Sequence, residues 1–459
     1  MFLTSLEFVF LLLPITCLSY HWANARLGYR YGALVLLAGN VLFLWYWNWF
    51  SVLWLFGLAL INWLAGRRLR LGTSGQKWLL AAALALNIIQ LGVFKYTAFF
   101  LCGVLGLAAP AFLSSWVVPI GLSFFTFQQI AYLVECSRKT VEDHCIVDFL
   151  IYSTFFPYIL SGPIVLPQET LRQLTALRRT LPVSLSAEEA FCALSRFTYG
   201  LAKKILLANQ MEVYVGKVFD GLRTADTVSL WIGVFAFSLQ IYFDFSGYSD
   251  MALGVGRLFG FPLPENFNSP YKAMDIDDFW RRWHISLTRF LKQYVYIPLG
   301  GNRCSSWHHM VNIMTVFLLS GLWHGANWTY VIWGAGHGIL TVCYKLFKVK
   351  YDVLPAALRR GVMVLLVSLL WIIFRSPDLA AVEQYFAGLF SLTFCFPSVG
   401  IAALVLTIVL WALCLCAPNS AELVSSKTLS KWRAALLGTL FASSLLCAST
   451  VQTFIYVNF

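Results

Sequence analysis

The sequence predicts an all-α polytopic integral membrane protein, and three observations carry that expectation. Charged residues make up 12% of the 459-residue chain, about half the ~25% of an ordinary soluble domain. Residues 31–66, 96–134, 398–417 and 434–457 contain no Asp, Glu, Lys or Arg, and about 20 apolar residues suffice to span a hydrocarbon core. None of these runs alternates apolar with polar residues, so a closed barrel is excluded and helices must satisfy the backbone in lipid.

The spans follow in order. Residues 2–20 look like a secretory leader only superficially: Glu7 interrupts them, no basic region precedes them and no small-x-small cleavage site follows. They are expected to be an uncleaved first helix. Further spans fall near 32–48, 50–66, 78–101 and 117–134, for roughly a dozen segments in all. Arg26 and Arg30 flank the first connection, Arg67, Arg68, Arg70 and Lys77 the third, and Arg138 and Lys139 the fifth, whereas 48–50 and 102–116 hold no charge. Because cytoplasmic loops collect Lys and Arg, that alternation puts the amino terminus outside the cytoplasm. The basic loops 344–360 and 427–433 likewise put the carboxyl terminus outside. The same rule explains the net charge of +12 without a nucleic-acid partner. Eighteen Trp and twenty Tyr suit interfacial belts, as at Trp45, Tyr46, Trp47 and Trp49. The eleven Cys show no metal or redox spacing, so no metal ligand is assigned.

The middle of the chain differs. Residues 165–228 carry charges on short amphipathic pieces, with Lys203 and Lys204 one or two turns from Arg196, and a cytoplasm-facing surface helix is expected there. Residues 244–303 read as a cytoplasmic-side loop, acidic first and then basic. The chain is treated as one transmembrane domain, with amino-terminal spans over 1–118, a core over 119–345 and carboxyl-terminal spans over 346–459.

Three motifs could carry chemistry. The 41 residues 304–344 hold no Asp, Glu, Lys or Arg but four His. A helix counted from Val311 reaches His324 after about 20 Å, deep in a core about 30 Å thick. Burial there disfavours imidazolium, and a neutral imidazole is what a general base needs. A structural histidine bonding a neighbouring helix is the competing reading, and it is the one adopted for His308, His309 and His337. Next, Trp280-Arg281-Arg282-Trp283-His284 interleaves aromatic rings with guanidinium forks, which suits either a phosphorylated acyl carrier such as coenzyme A or anionic lipid head groups. Finally, Asp244, at the end of an apolar run, must pair, with Arg281 and Arg282 as candidate partners. No Gly-x-Ser-x-Gly elbow, phosphate loop or His-Glu-x-x-His helix occurs.

At these residues the chain resembles the membrane-bound O-acyltransferase family, in particular the branch containing the bacterial alginate O-acetyltransferase membrane subunit. The matching blocks run in family order over about 119–340: Pro119–Phe124, Gly162-Pro163, Gln240–Asp250, Glu265-Asn266-Phe267, Phe279–Leu287, Gly300–Arg303 and Gly321–Asn327. One departure is Glu135, where the related stretch has Asp. The resemblance implies a helical fold around a central tunnel, with some re-entrant segments. It implies that His324 is the intramembrane catalytic histidine and His284 the second functional histidine, near the cytoplasmic mouth. Trp280, Arg281, Arg282, Trp283, Asn327 and Asp244 are the candidate donor-binding residues.

It further implies acetyl transfer from cytoplasmic acetyl-CoA, a substrate rather than a resident cofactor, across a bacterial inner membrane to a polysaccharide such as alginate, through an extracytoplasmic acetyltransferase partner. D-alanyl or fatty-acyl transfer by the same machinery is the nearer alternative. A proton-coupled transporter using His324 and Asp244 is the alternative of a different class, although no internal repeat supports it.

Overall fold

The computed structural model describes every residue except 73, 109, 111–116, 180–184, 223–224, 394–395, 426–429, 449–454 and 456–459. The segments 102–116 and 434–457 and the loop 427–433 therefore lie partly outside the described residues. All regular elements among the described residues are helices. They are α1 (Phe8–Leu27), α2 (Tyr29–Trp47), α3 (Trp49–Leu71), α4 (Gln76–Tyr96), α5 (Leu122–Ser137), α6 (Ile146–Thr154), α7 (Pro167–Arg179), α8 (Ala187–Ala202), α9 (Asn209–Asp220) and α10 (Thr227–Leu258). Then come α11 (Ile276–Arg282), α12 (Ile285–Leu291), α13 (Ser306–His324), α14 (Trp328–Asp352), α15 (Ala356–Arg375), α16 (Leu379–Leu389), α17 (Ile401–Cys416), α18 (Ser420–Ser425) and α19 (Lys431–Leu446). Five of these, α1, α3, α4, α10 and α15, are long and apolar enough to cross a membrane by length and composition, and α17 is a shorter apolar helix.

Two compact units emerge. The first comprises Met1–Gly200, Tyr248–Glu265 and Lys427–Val451. In it α1 packs on α2, and α5 packs on α3 and α4. A buried amide network ties four helices. Asn62 donates to Asn87 and to Gln129, each at 3.1 Å, and Gln129 donates to Ser153 at 3.0 Å. Lipid gives helices no hydrophobic reason to associate, so such interhelical bonds supply part of the adhesion.

The second unit comprises Leu201–Gly247, Asn266–Ser426 and Gln452–Phe459. Its core is aromatic, with Trp283, Trp333, Trp371, Tyr271 and Tyr385 all fully buried. Helices α13 and α14 form a hairpin whose backbones nearly touch. A Cβ on Gly321 would meet the Tyr330 carbonyl oxygen at 2.3 Å, and one on Gly334 would meet that of Phe317 at 2.4 Å. Only glycine permits that approach, the small-residue packing common between membrane helices.

The charged middle departs from expectation. Arg196 is buried, not spread on a membrane surface, and donates to Asp250 at 2.7 Å and to Glu265 at 2.5 Å. Lys204, also buried, lies 2.5 Å from Asp244. Asp244 and Asp250 accordingly belong to α10, which runs on to Leu258. The acidic start of the supposed 244–303 loop is helix, because each carboxylate has a cation that lets it stay buried.

Candidate active site

His284 stands at the joint between α11 and α12 with left-handed backbone angles, φ 44° and ψ 53°. A non-glycine residue holds that conformation only where its surroundings impose it. Asn266 is that surrounding. Its carbonyl accepts the Ile285 backbone N–H at 3.0 Å. Its side-chain oxygen accepts the Ser286 N–H at 3.2 Å and the Ser286 hydroxyl at 2.9 Å, and lies 3.1 Å from His284 Nδ1. An atom that accepts from a backbone N–H is the amide oxygen, so Nδ1 must be the protonated nitrogen. The lone pair of His284 is on Nε2.

His324 is the last residue of α13, before Gly325 breaks the helix with extended backbone. Its ring is buried among Trp323 and Trp333, each 5.0 Å away between centroids, and Phe374 at 5.4 Å. The tight α13–α14 hairpin sets its height. The His284 and His324 rings lie 6.4 Å apart. Sequence placed 39 residues between them; the fold brings them to one spot.

A cavity of about 310 Å³ lies near this pair in sequence, although neither histidine lines it. Leu287 and Ser320 line it, three residues after His284 and four before His324, so each stands one helical turn from its histidine. Trp280 forms part of the wall, and Asp277, Arg281, Lys292 and Lys345 give it a charged lining, with Lys345 paired to Asp277 at 2.7 Å.

The remaining predicted residues separate. Trp280 and Arg281 line the cavity. Arg282 instead donates to Asp278 at 2.9 Å, an i,i+4 pair on α11. Trp283 is core, stacked on Phe279 and wedged against Trp371. Asn327 caps α14, accepting from the Thr329 N–H at 3.2 Å and donating to the Pro377 carbonyl at 2.7 Å. Asp244 does not pair with Arg281 or Arg282. Its partner is Lys204, and the Ile455 N–H also donates to it at 2.9 Å. His337 packs between Phe279 and Phe317 with Trp280 and Trp333 at its edges.

Sequence reasoning gave Asn266 no role. Its signal was present in the Glu265-Asn266-Phe267 block, but an asparagine in a loop shows nothing of what it holds. Among the described residues no three His, Cys, Asp or Glu side chains group as metal ligands would.

Comparison with known proteins identifies the chain's relatives. The profile of the MBOAT, membrane-bound O-acyltransferase family, matches residues 41–375. The probable alginate O-acetylase AlgI of Pseudomonas aeruginosa is 36% identical over 409 residues, covering 85% of this chain and 75% of that protein. The peptidoglycan O-acetyltransferase of Helicobacter pylori is 33% identical over 419 residues, covering 84% and 79%. The teichoic acid D-alanyltransferase of Bacillus subtilis is 27% identical over 250 residues, covering 52% and 62%. A chain of apolar helices that matches this profile over most of its length, and two O-acetylating proteins over more than four-fifths, belongs to the membrane-bound O-acyltransferase family and is a multi-pass membrane O-acyltransferase.

Proposed function

We propose that this enzyme takes an acetyl group from cytoplasmic acetyl-CoA and passes it across a bacterial inner membrane for O-acetylation of an extracytoplasmic polysaccharide, by way of a partner acetyltransferase. The supporting observation is the His284–His324 pair, buried 6.4 Å apart one turn from a cavity lined by Trp280 and Arg281. In this reading roughly a dozen segments, some re-entrant, surround a tunnel that ends at the pair. The alginate- and peptidoglycan-acetylating relatives favour a glycan as final acceptor.

The chemistry follows from the residues. Arg281, Lys292 and Lys345 suit the phosphates of a coenzyme A donor, and Trp280 offers a ring face to its planar or apolar parts. His324 takes the proton of an acceptor hydroxyl as that oxygen bonds to the thioester carbonyl carbon. The C–S bond then breaks and the thiolate leaves, recovering a proton. A positioned base of this kind contributes about 10²–10⁴-fold. His284, its lone pair on Nε2, is the second functional histidine.

The test is transfer of label from acetyl-labelled acetyl-CoA by the purified protein with its partner. His324→Ala should abolish transfer while preserving a monodisperse, helical protein; undiminished transfer would remove the mechanism. The teichoic acid D-alanyltransferase similarity keeps a second donor in view. Competition among acetyl-CoA, a longer acyl-CoA and a D-alanyl carrier protein separates the readings by which one is consumed.

A further inference from the structure

A second cavity, about 280 Å³, lies between α14 and α15 and holds no charged side chain in its lining. Leu340, Cys343 and Phe347 of α14 face Met363 and Leu366 of α15 across it, and Ile276, the first residue of α11, completes the wall. Along α14 its lining runs from Leu340 to Tyr351, about 16 Å of helix. A slot of that length, between two helices of a membrane protein and without polar walls, suits a single alkyl chain.

One end of the slot is basic. Residues 344–360 hold Lys345, Lys348, Lys350, Arg359 and Arg360. Lys345 pairs with Asp277 at 2.7 Å and Arg359 with Asp352 at 3.2 Å, so the basic excess comes from Lys348, Lys350 and Arg360. Lys348 follows Tyr344 by four residues and precedes Tyr351 by three, so it shares the slot face of α14; its ammonium sits 5.9 Å from the Tyr344 ring centre. Arg359 precedes Val362 and Met363 by three and four residues, on the slot face of α15. The Tyr351 hydroxyl lies 2.9 Å from the Arg359 carbonyl and 3.1 Å from that of Met274, its one proton shared between them, fastening this end to the segment that leads into α11.

We propose that this slot binds an anionic phospholipid, one acyl chain lying between α14 and α15 and the phosphate meeting Lys348 and Arg359. The charge selects the occupant. A zwitterionic lipid fills the slot equally well but gains nothing from the basic excess, and a free anion gains nothing from the apolar walls. Because Ile276 lines the slot and opens α11, a seated lipid also buttresses the helix that carries Trp280 and Arg281.

The full-length protein, purified and equilibrated in mixed phosphatidylglycerol and phosphatidylcholine, tests this by native mass spectrometry of retained lipid. Wild type should retain phosphatidylglycerol preferentially, and Lys348→Gln and Arg359→Gln should each reduce that preference about five-fold. Cys343→Trp, which fills the slot, should lose the retained lipid. Independently of any variant, alkylation of the exposed Cys343, followed at the peptide level, should be slower in phosphatidylglycerol than in phosphatidylcholine. Equal retention of the two lipids by wild type, or equal alkylation rates, would overturn the proposal.

Discussion

Asn266 fixes which nitrogen of His284 is basic: one amide oxygen receives Nδ1–H at 3.1 Å together with both donors of Ser286. Removing it with Asn266→Ala leaves the left-handed joint and the tautomer unsupported. Losses for partners that orient a functional histidine run to about 10–100-fold, and a comparable fall in acyl transfer is expected. Asn266→Asp still accepts these bonds but favours imidazolium, so activity should persist with its acid limb moved to higher pH. A pH–rate profile of both variants checks this, and identical profiles for Asn266→Asp and wild type would refute the assignment.

The α13–α14 contact leaves no room for a methyl group. Gly334→Ala should force the hairpin apart, lowering stability by about 1–3 kcal/mol and lowering activity as His324 moves. Gly361→Ala on α15, where an added Cβ meets nothing within 4 Å, is the control and should leave both unchanged or slightly improve stability. Thermal unfolding and transfer assays run side by side decide the point.

Arg196 pairs with the buried Asp250 and with the exposed Glu265. Arg196→Met strands a buried carboxylate and should cost about 3–5 kcal/mol, seen as a lowered unfolding temperature. Adding Asp250→Asn should recover part of the loss. A double variant no more stable than the single would show that the ion pair is not the cause.

His144 supplies a pH dependence outside the membrane spans. Its Nδ1 lies 2.8 Å from the Glu142 carbonyl and must donate to it, so Nε2 accepts from the Tyr132 hydroxyl at 3.1 Å. Burial lowers its pKa from 6.5 to about 4, outweighing the opposing pull of the Glu142 carbonyl. The unfolded chain therefore binds this proton first. The stability that neutral His144 contributes is complete above pH 6.5 and is lost as pH falls toward 4, by at most about 1.4 kcal/mol per pH unit. His144→Gln should flatten that part of the unfolding profile. An unaltered slope between pH 7 and 5 would exclude His144 as its source.

Much of this was legible from residue order. The charge-free run 31–66 announced α2 and most of α3, since exclusion of charge from lipid acts on each segment separately, although α3 continues through Arg67, Arg68 and Arg70 to Leu71. The isolation of His324 from any charged neighbour pointed to its burial for the same reason. Asp244 shows where residue order stops. Its apolar approach demanded a partner, but nearby arginines were the wrong ones, and Lys204 lies 40 positions earlier in the chain.

Sequence by itself thus determined the solvent and the helical class and nominated candidate residues for acyl chemistry, because each follows from local composition and period. Only the tertiary structure decided that Arg196 and Lys204 turn inward, that Asn266 sets the His284 tautomer and that His284 and His324 meet. Those outcomes rest on contacts between distant segments, and a contact of that kind has its energy only once the helices have packed.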